Sequence, residues 1–170
     1  MTDAPLLSVS DLSVAYRAGE KIINAVSNVS FTIAEGDFVS LVGESGSGKS
    51  TLAATLMGLL PPTAQVVSGS ILLDGCQLVG LGENGYVKLR GRQIGLVPQD
   101  PAASLNPVLT VGQQVAEVFT LHAEKRLGRA EVREKSEHIL ALAGIDRPGL
   151  RLTQYPHELS GGLKQRVLIA

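Results

Sequence analysis

One stretch limits the folds open to this chain: Gly43-Glu44-Ser45-Gly46-Ser47-Gly48-Lys49-Ser50-Thr51. It satisfies G-x-x-x-x-G-K-[S/T], the phosphate-binding loop or Walker A pattern. Its glycines let the backbone curl until successive N–H groups face one concavity, which receives phosphates. A helix beginning near Lys49 points its partly positive N-terminus at the same place. Lys49 then reaches the β- and γ-phosphates, and the Ser50 hydroxyl ligates Mg2+. The competing reading is a Gly/Ser-rich turn with a solvated lysine, and the flanks argue against it. Asp37-Phe38-Val39-Ser40-Leu41-Val42 predicts a short apolar strand entering the loop. Leu52, Leu56, Leu59 and Leu60 recur at helical spacing until Pro61-Pro62 stops the helix. Strand, loop and helix are the context the pattern requires, so the chain reads as a nucleotide-binding protein.

The rest of the chain supports an α/β organisation. Residues 6–16 alternate imperfectly and predict a strand ending at Tyr16, and residues 25–33 alternate more cleanly. Ala34-Glu35-Gly36-Asp37 is a turn into the strand before the loop, and residues 68–75 read as a further strand and turn. Two or three antiparallel strands around a parallel core follow from this. A short helix fits Tyr86–Leu89. Ile94-Gly95-Leu96-Val97 predicts a buried strand that Pro98-Gln99-Asp100-Pro101 ends, and residues 101–109 read as irregular. Thr110 with Gln113 forms a capping-box signature for a helix lined by Val111, Val115, Val118 and Phe119. A second amphipathic helix spans about Arg129 to Ala143, burying Val132, Ile139, Leu140 and Ala143, with Gly144 suited to its end. Near the C-terminus, Ser160 is a natural N-cap, and Gly161-Gly162 open a helix with bare amides.

Composition excludes several classes. Apolar residues make up 44% of the 170 residues, enough for a core and too many for a disordered chain. Charged residues make up 18%, so more apolar surface is left than usual; a partner surface and an Ala/Gly/Val-rich composition both account for it. The net charge of −1 and the lack of a basic run leave nothing to suggest nucleic acid as a partner. Cys76 is the only cysteine, and His122, His138 and His157 show no metal-ligand spacing. No apolar run approaches the roughly 18 residues of a spanning helix, and no leader precedes the first strand, so a cytoplasmic location is expected.

The Walker A loop together with Leu159-Ser160-Gly161-Gly162, about 110 residues beyond Lys49, resembles the ATP-binding-cassette (ABC) ATPases, whose signature motif is L-S-G-G-Q. Gly43–Ser50, Gln99-Asp100-Pro101-Ala102-Ala103-Ser104-Leu105-Asn106-Pro107 and Tyr155-Pro156-His157-Glu158-Leu159-Ser160-Gly161-Gly162 are similar to the ATPase subunits of bacterial oligopeptide, dipeptide and nickel importers. The resemblance covers essentially the whole chain. It departs at Leu163, where a glutamine is usual, and at Pro98, where an aromatic is common. Neither change removes a group that touches phosphate.

That resemblance implies an α/β fold, a P-loop NTPase core with an antiparallel β subdomain and a helical insertion. It implies one nucleotide-binding domain over 1–170, with an ATP-binding core over 1–100, a helical subdomain over about 101–158 and the signature segment over 159–170. ATP and Mg2+ are the implied cofactors. Gly43 through Thr51 (Gly43, Glu44, Ser45, Gly46, Ser47, Gly48, Lys49, Ser50 and Thr51) would cradle the phosphates, Tyr16 would stack on adenine, Ser50 and Gln99 would contact Mg2+, and Ser160, Gly161 and Gly162 would close over the nucleotide of a second subunit. The implied partners are a second ABC ATPase subunit, identical or not, docked head to tail; transmembrane permease subunits; and an extracytoplasmic solute-binding protein. The implied place is the inner face of the cell membrane, with import of peptides or related solutes as the function.

In that family a later strand, Walker B, carries an aspartate for Mg2+ and a glutamate that polarises water, and a switch histidine follows. Residues 1–170 contain none of these, so the expected fold is incomplete, and Lys49 and Gln99 are the only residues expected to contribute to catalysis. The alternatives are a hydrolysis-incompetent nucleotide-binding module and a non-transport ABC ATPase.

Overall fold

Alternating apolar side chains build the first sheet. The computed structural model describes residues 4–123 and 125–170. β1 (Leu7–Ala18) buries Leu7, Val9, Leu12 and Val14 on one side. The step from Val9 to Leu12 breaks strict alternation, because a register shift falls there and Asp11 has φ 49°. The extra residue of such a bulge returns Leu12 to the inner face. β1 pairs antiparallel with β2 (Lys21–Ile33) on one side and β3 (Ala64–Leu73) on the other, and β3 pairs with the short β4 (Cys76–Gln77). The order is β2-β1-β3-β4. β1 runs two residues past Tyr16, and both β2 and β3 begin four residues earlier than their alternation indicates. The backbone pairing continues there although residues 17–18 and 21–24 are exposed; in β3, Val66 also packs against the core.

Two helices cover this sheet. α1 (Lys49–Leu56) contributes Leu52, and α2 (Glu83–Leu89) contributes Tyr86 and Leu89, to a core with Val9, Leu12, Val14, Ile71 and Leu78. α1 ends before the proline pair. Gly58 takes φ 63°, and its N–H and that of Leu59 turn back to the carbonyls of Thr55 (3.1 Å) and Ala54 (2.8 Å). This is a Schellman C-terminus, which glycine permits at little cost.

The expected parallel strands are not formed. Residues 37–42 and 94–97 have no ladder among the described residues; only an isolated Arg90–Ile94 bridge touches the second segment. Gln99 therefore follows no strand. Phe38 is 98% exposed and Val42 89% exposed. The residues are apolar enough for buried strands, but a parallel strand exists only through its neighbours' hydrogen bonds, and the described residues supply none.

The chain divides into two compact units, Met1–Ile94 and Gly95–Ala170. The second is helical. Residues 101–109 are not wholly irregular, since α3 (Pro101–Ser104) forms one turn whose amides at Ala102 and Ala103 donate to the Asp100 carboxylate. α4 (Val111–His122) and α5 (Arg129–Leu142) follow, then α6 (Pro148–Arg151), a 3-10 turn (Pro156–Glu158) and α7 (Gly161–Ile169). Leu105, Val111, Val115, Leu140, Ile145, Leu152, Leu159 and Val167 form the core of this unit. Val118, expected on the buried face of α4, is exposed, while Phe119 packs against the core. α5 ends at Gly144 with φ 75°, as its sequence predicts.

The capping box of α4 is complete. Gln113 N–H donates to Thr110 Oγ1 at 3.2 Å, and Thr110 N–H donates to Gln113 Oε1 at 2.8 Å. Thr110→Ala is expected to destabilise the protein by about 1 kcal/mol, lowering the melting temperature by about 2–4 °C. A thermal melt followed by circular dichroism checks this; an unchanged midpoint would show that the box contributes nothing.

Candidate nucleotide site

The loop residues predicted from sequence converge in the first unit. Lys49 Nζ donates to the carbonyls of Gly43 at 2.6 Å and Glu44 at 2.7 Å, and to Ser47 Oγ at 3.2 Å. An ammonium has three donors, and all three are used inside the loop. The longest bond, to Ser47, is the easiest to exchange for a phosphate oxygen. The loop thus holds its own cation over its own concavity.

Glycine is required at defined points. Gly48, the N-cap of α1, has φ 92° and ψ 2°. A Cβ there would stand 2.3 Å from the Ala25 carbonyl oxygen and 3.2 Å from Val26 Cγ2. The backbone of β2 is therefore the floor of the loop. At Gly43 a Cβ would meet Ser47 Oγ at 2.6 Å. Because Gly48 offers no side chain, nothing caps α1, and its first-turn amides stay open to an anion. Ser50 is exposed at this end, beside Thr51.

Tyr16 is half-buried on β1, paired with Ile23 and Ala64 on either side. Its hydroxyl lies 3.3 Å from Thr51 Oγ1. This ties the tyrosine expected to stack on adenine to the first turn of the loop helix, a link that sequence spacing does not reveal. Gln99, Ser160, Gly161 and Gly162 all lie in the second unit and are exposed. Leu159 is buried in that unit's core and Leu163 packs against it, so the signature segment is held by apolar anchors on both sides. Leu163 in place of glutamine thus serves packing. Ser160 Oγ accepts from Leu163 N–H at 3.3 Å and keeps its own O–H to donate. A Cβ added to Gly161 or Gly162 would meet nothing within 4 Å, so neither glycine is demanded by a neighbouring side chain or strand.

Behind α1 lies a group that sequence reasoning missed. Arg90 reaches the carbonyls at the helix's C-terminal end and pairs with Glu83. Its hydrogen bond holds the Glu83 carboxyl below the usual carboxylate range, while burial pushes the Tyr86 phenol up. With the Glu83 pKa lowered in the folded protein, the stabilisation is present above the ordinary carboxylate range and is lost as pH falls through the depressed value.

A glycine-rich loop closing on its own lysine at the start of an uncapped helix defines a phosphate-binding-loop protein. The ABC transporter family profile matches residues 26–170, and the chain belongs to that family. It is 46% identical over 98% of its length to the oligopeptide transport ATP-binding protein OppD of Mycobacterium tuberculosis, covering 27% of that protein. It is 41% identical over 97% of its length to AppD of Bacillus subtilis, covering 50% of it, and 41% identical over 97% of its length to OppD of Escherichia coli, covering 48%. The chain thus spans about a quarter to a half of these relatives. Among solved structures it is similar to the ATP-binding cassette MJ0796, in a dimeric post-hydrolysis state with ADP and Pi, at TM-score 0.85 and 31% identity, over 96% of this chain and 67% of that one. It is also similar to cbiO1 of Clostridium perfringens, at TM-score 0.75 and 28% identity, over 98% of this chain and 60% of that one. The fold is accordingly the α/β ABC ATPase fold, with its antiparallel sheet and helical segment. No helix among the described residues is long and apolar enough to cross a membrane.

Proposed function

We propose that these residues bind ATP with Mg2+, and that within a longer protein they energise import of peptides or related solutes through a membrane permease. The observation that carries the reading is the arrangement of Lys49 over an uncapped helix start. Lys49 and the first-turn amides of α1 hold phosphate oxygens, and Lys49 releases Ser47 to do so. Tyr16 supplies a flat apolar face for a base, steadied by Thr51. Among the described residues no cluster of three or more His, Cys, Asp or Glu is placed to hold a metal. Mg2+ at such a loop takes most of its shell from phosphate oxygens and water, so the Ser50 hydroxyl suits it; Gln99 is a second ligand on the family resemblance alone. When bound, Mg2+ neutralises charge on the phosphates.

The division expected from sequence, an ATP-binding core over 1–100, a helical subdomain over about 101–158 and a signature segment over 159–170, is kept as part of this reading. Ser160 has a free hydroxyl proton and both it and Gly162 are exposed, suited to an anion on a second subunit docked head to tail. Similarity to oligopeptide transport ATP-binding proteins supports a role beside a membrane permease, with a solute-binding protein as a further partner and the inner face of the membrane as the place of work. Hydrolysis requires the Walker B carboxylates, which residues 1–170 do not contain.

Titration of the purified 170-residue chain with a fluorescent ATP analogue is expected to show saturable, Mg2+-enhanced binding, with phosphate release at background. Absence of binding in a folded sample defeats the nucleotide reading. Lys49-dependent turnover defeats the assignment of hydrolysis to residues outside these 170.

A further inference from the structure

The loop's aim is set from one end of α1, and Arg90 grips the other. Arg90 Nε donates to the Met57 carbonyl at 2.9 Å and Nη2 to the Gly58 carbonyl at 3.1 Å. These are the carbonyls of the C-cap residue and of the glycine that follows it, in the Schellman turn that ends α1. The opposite edge of the guanidinium meets both Glu83 oxygens, at 2.7 and 3.2 Å, and the plane lies 5.0 Å from the Tyr86 ring centroid. The single O–H of Tyr86 faces the carbonyls of Thr55 at 3.4 Å and Leu78 at 3.3 Å and donates to one or is shared between them. Arg90, Glu83 and Tyr86 all come from α2 or its end, so one short helix clamps the tail of another.

The clamp matters because of what α1 lacks. It is eight residues long, about 12 Å, and it buries only Leu52 and Thr55. Its N-terminus has no side-chain cap. Its other holds are one hydroxyl contact from Tyr16 to Thr51, the approach of Gly48 to β2 and the partly buried Leu56, so an anchor at the C-terminal end limits sliding along the axis. Charge-assisted bonds from a planar, preorganised fork fix the C-terminal end, and the cation also complements the partial negative charge there.

We propose that Arg90 is a positioning residue for nucleotide binding: by holding the Met57 and Gly58 carbonyls it fixes α1 along its axis, and so fixes where the amides at Gly48–Thr51 and Lys49 point. The proposal rests on the reading that this loop binds ATP. It assigns Arg90 no contact with the ligand.

The test compares the 170-residue chain with Arg90→Ala, Arg90→Lys and Glu83→Gln. Amide hydrogen exchange is measured without nucleotide, and affinity is measured for a fluorescent ATP analogue with Mg2+. Arg90→Ala is expected to raise exchange at residues 45–59 and to weaken ATP binding by about tenfold, with β1 and β3 amides unchanged. Arg90→Lys keeps the charge but loses the fork, and is expected to show the same localised change at smaller size. Glu83→Gln, which removes the carboxylate steadying the fork, is expected to show a still smaller one. Unchanged exchange at 45–59 in a folded Arg90→Ala chain overturns the proposal, as does a rise spread equally over β1 and β3, which marks general loss of stability. If the alanine variant does not fold, the same readings are taken from Arg90→Lys, and no localised rise there overturns it. If the parent chain binds no ATP analogue, the nucleotide reading fails, while the exchange comparison still decides whether Arg90 positions the loop.

Discussion

Lys49→Ala is expected to weaken Mg2+–ATP binding by about 30–100-fold, with little change in folding stability. The side chain is at the surface and its three bonds are all to its own loop. Losing them costs the fold little, because water can serve the freed carbonyls. Losing the cation costs binding much more, since a charge-assisted bond to phosphate contributes about 2–3 kcal/mol and each 1.4 kcal/mol is tenfold in affinity. Titration with a fluorescent ATP analogue beside a thermal melt separates the two. An affinity within twofold of the parent would falsify the role given to Lys49.

Gly48→Ala should damage both properties. The residue sits at φ 92°, and its Cβ would stand 2.3 Å from a main-chain oxygen of β2. A strained φ alone costs about 1–3 kcal/mol, and the overlap forces either the loop or β2 to move. A total near 3–5 kcal/mol places the substitution among the severe ones, equivalent to about 10 °C in melting temperature for a domain of this size. ATP affinity should fall as well, because the displaced element is the one that aims the amides. A variant that melts with the parent would show that the floor is not where the Ala25 carbonyl puts it.

Local features of this fold were legible in the sequence. Thr110 and Gln113 announced α4, Ser160 announced α7, and the alternation around Val9 and Phe31 announced two strands. Each depends on residues a few positions apart. α3 was also within reach, since Asp100 followed by Pro101 is an N-cap with proline at the first helical position. The two segments expected as parallel strands were not, because residues 37–42 and 94–97 carry the right composition while strand formation depends on distant pairing. The site divides the same way. The Gly43–Thr51 pattern named itself, whereas the Arg90 clamp joins residues more than thirty positions apart and follows no spacing rule.

Gly43 and Gly48, the loop glycines crowded by neighbouring atoms, differ in what opposes them, and that difference can be read by genetics. Gly43 faces a side-chain oxygen of Ser47, so a methyl at Gly43 conflicts with an atom that mutation can remove. Gly48 faces a peptide carbonyl, which every residue at position 25 would present. In a suppressor screen, loss of function at Gly43→Ala has an intragenic escape through Ser47→Gly. Loss at Gly48→Ala has none at position 25, and the screen should return revertants to glycine.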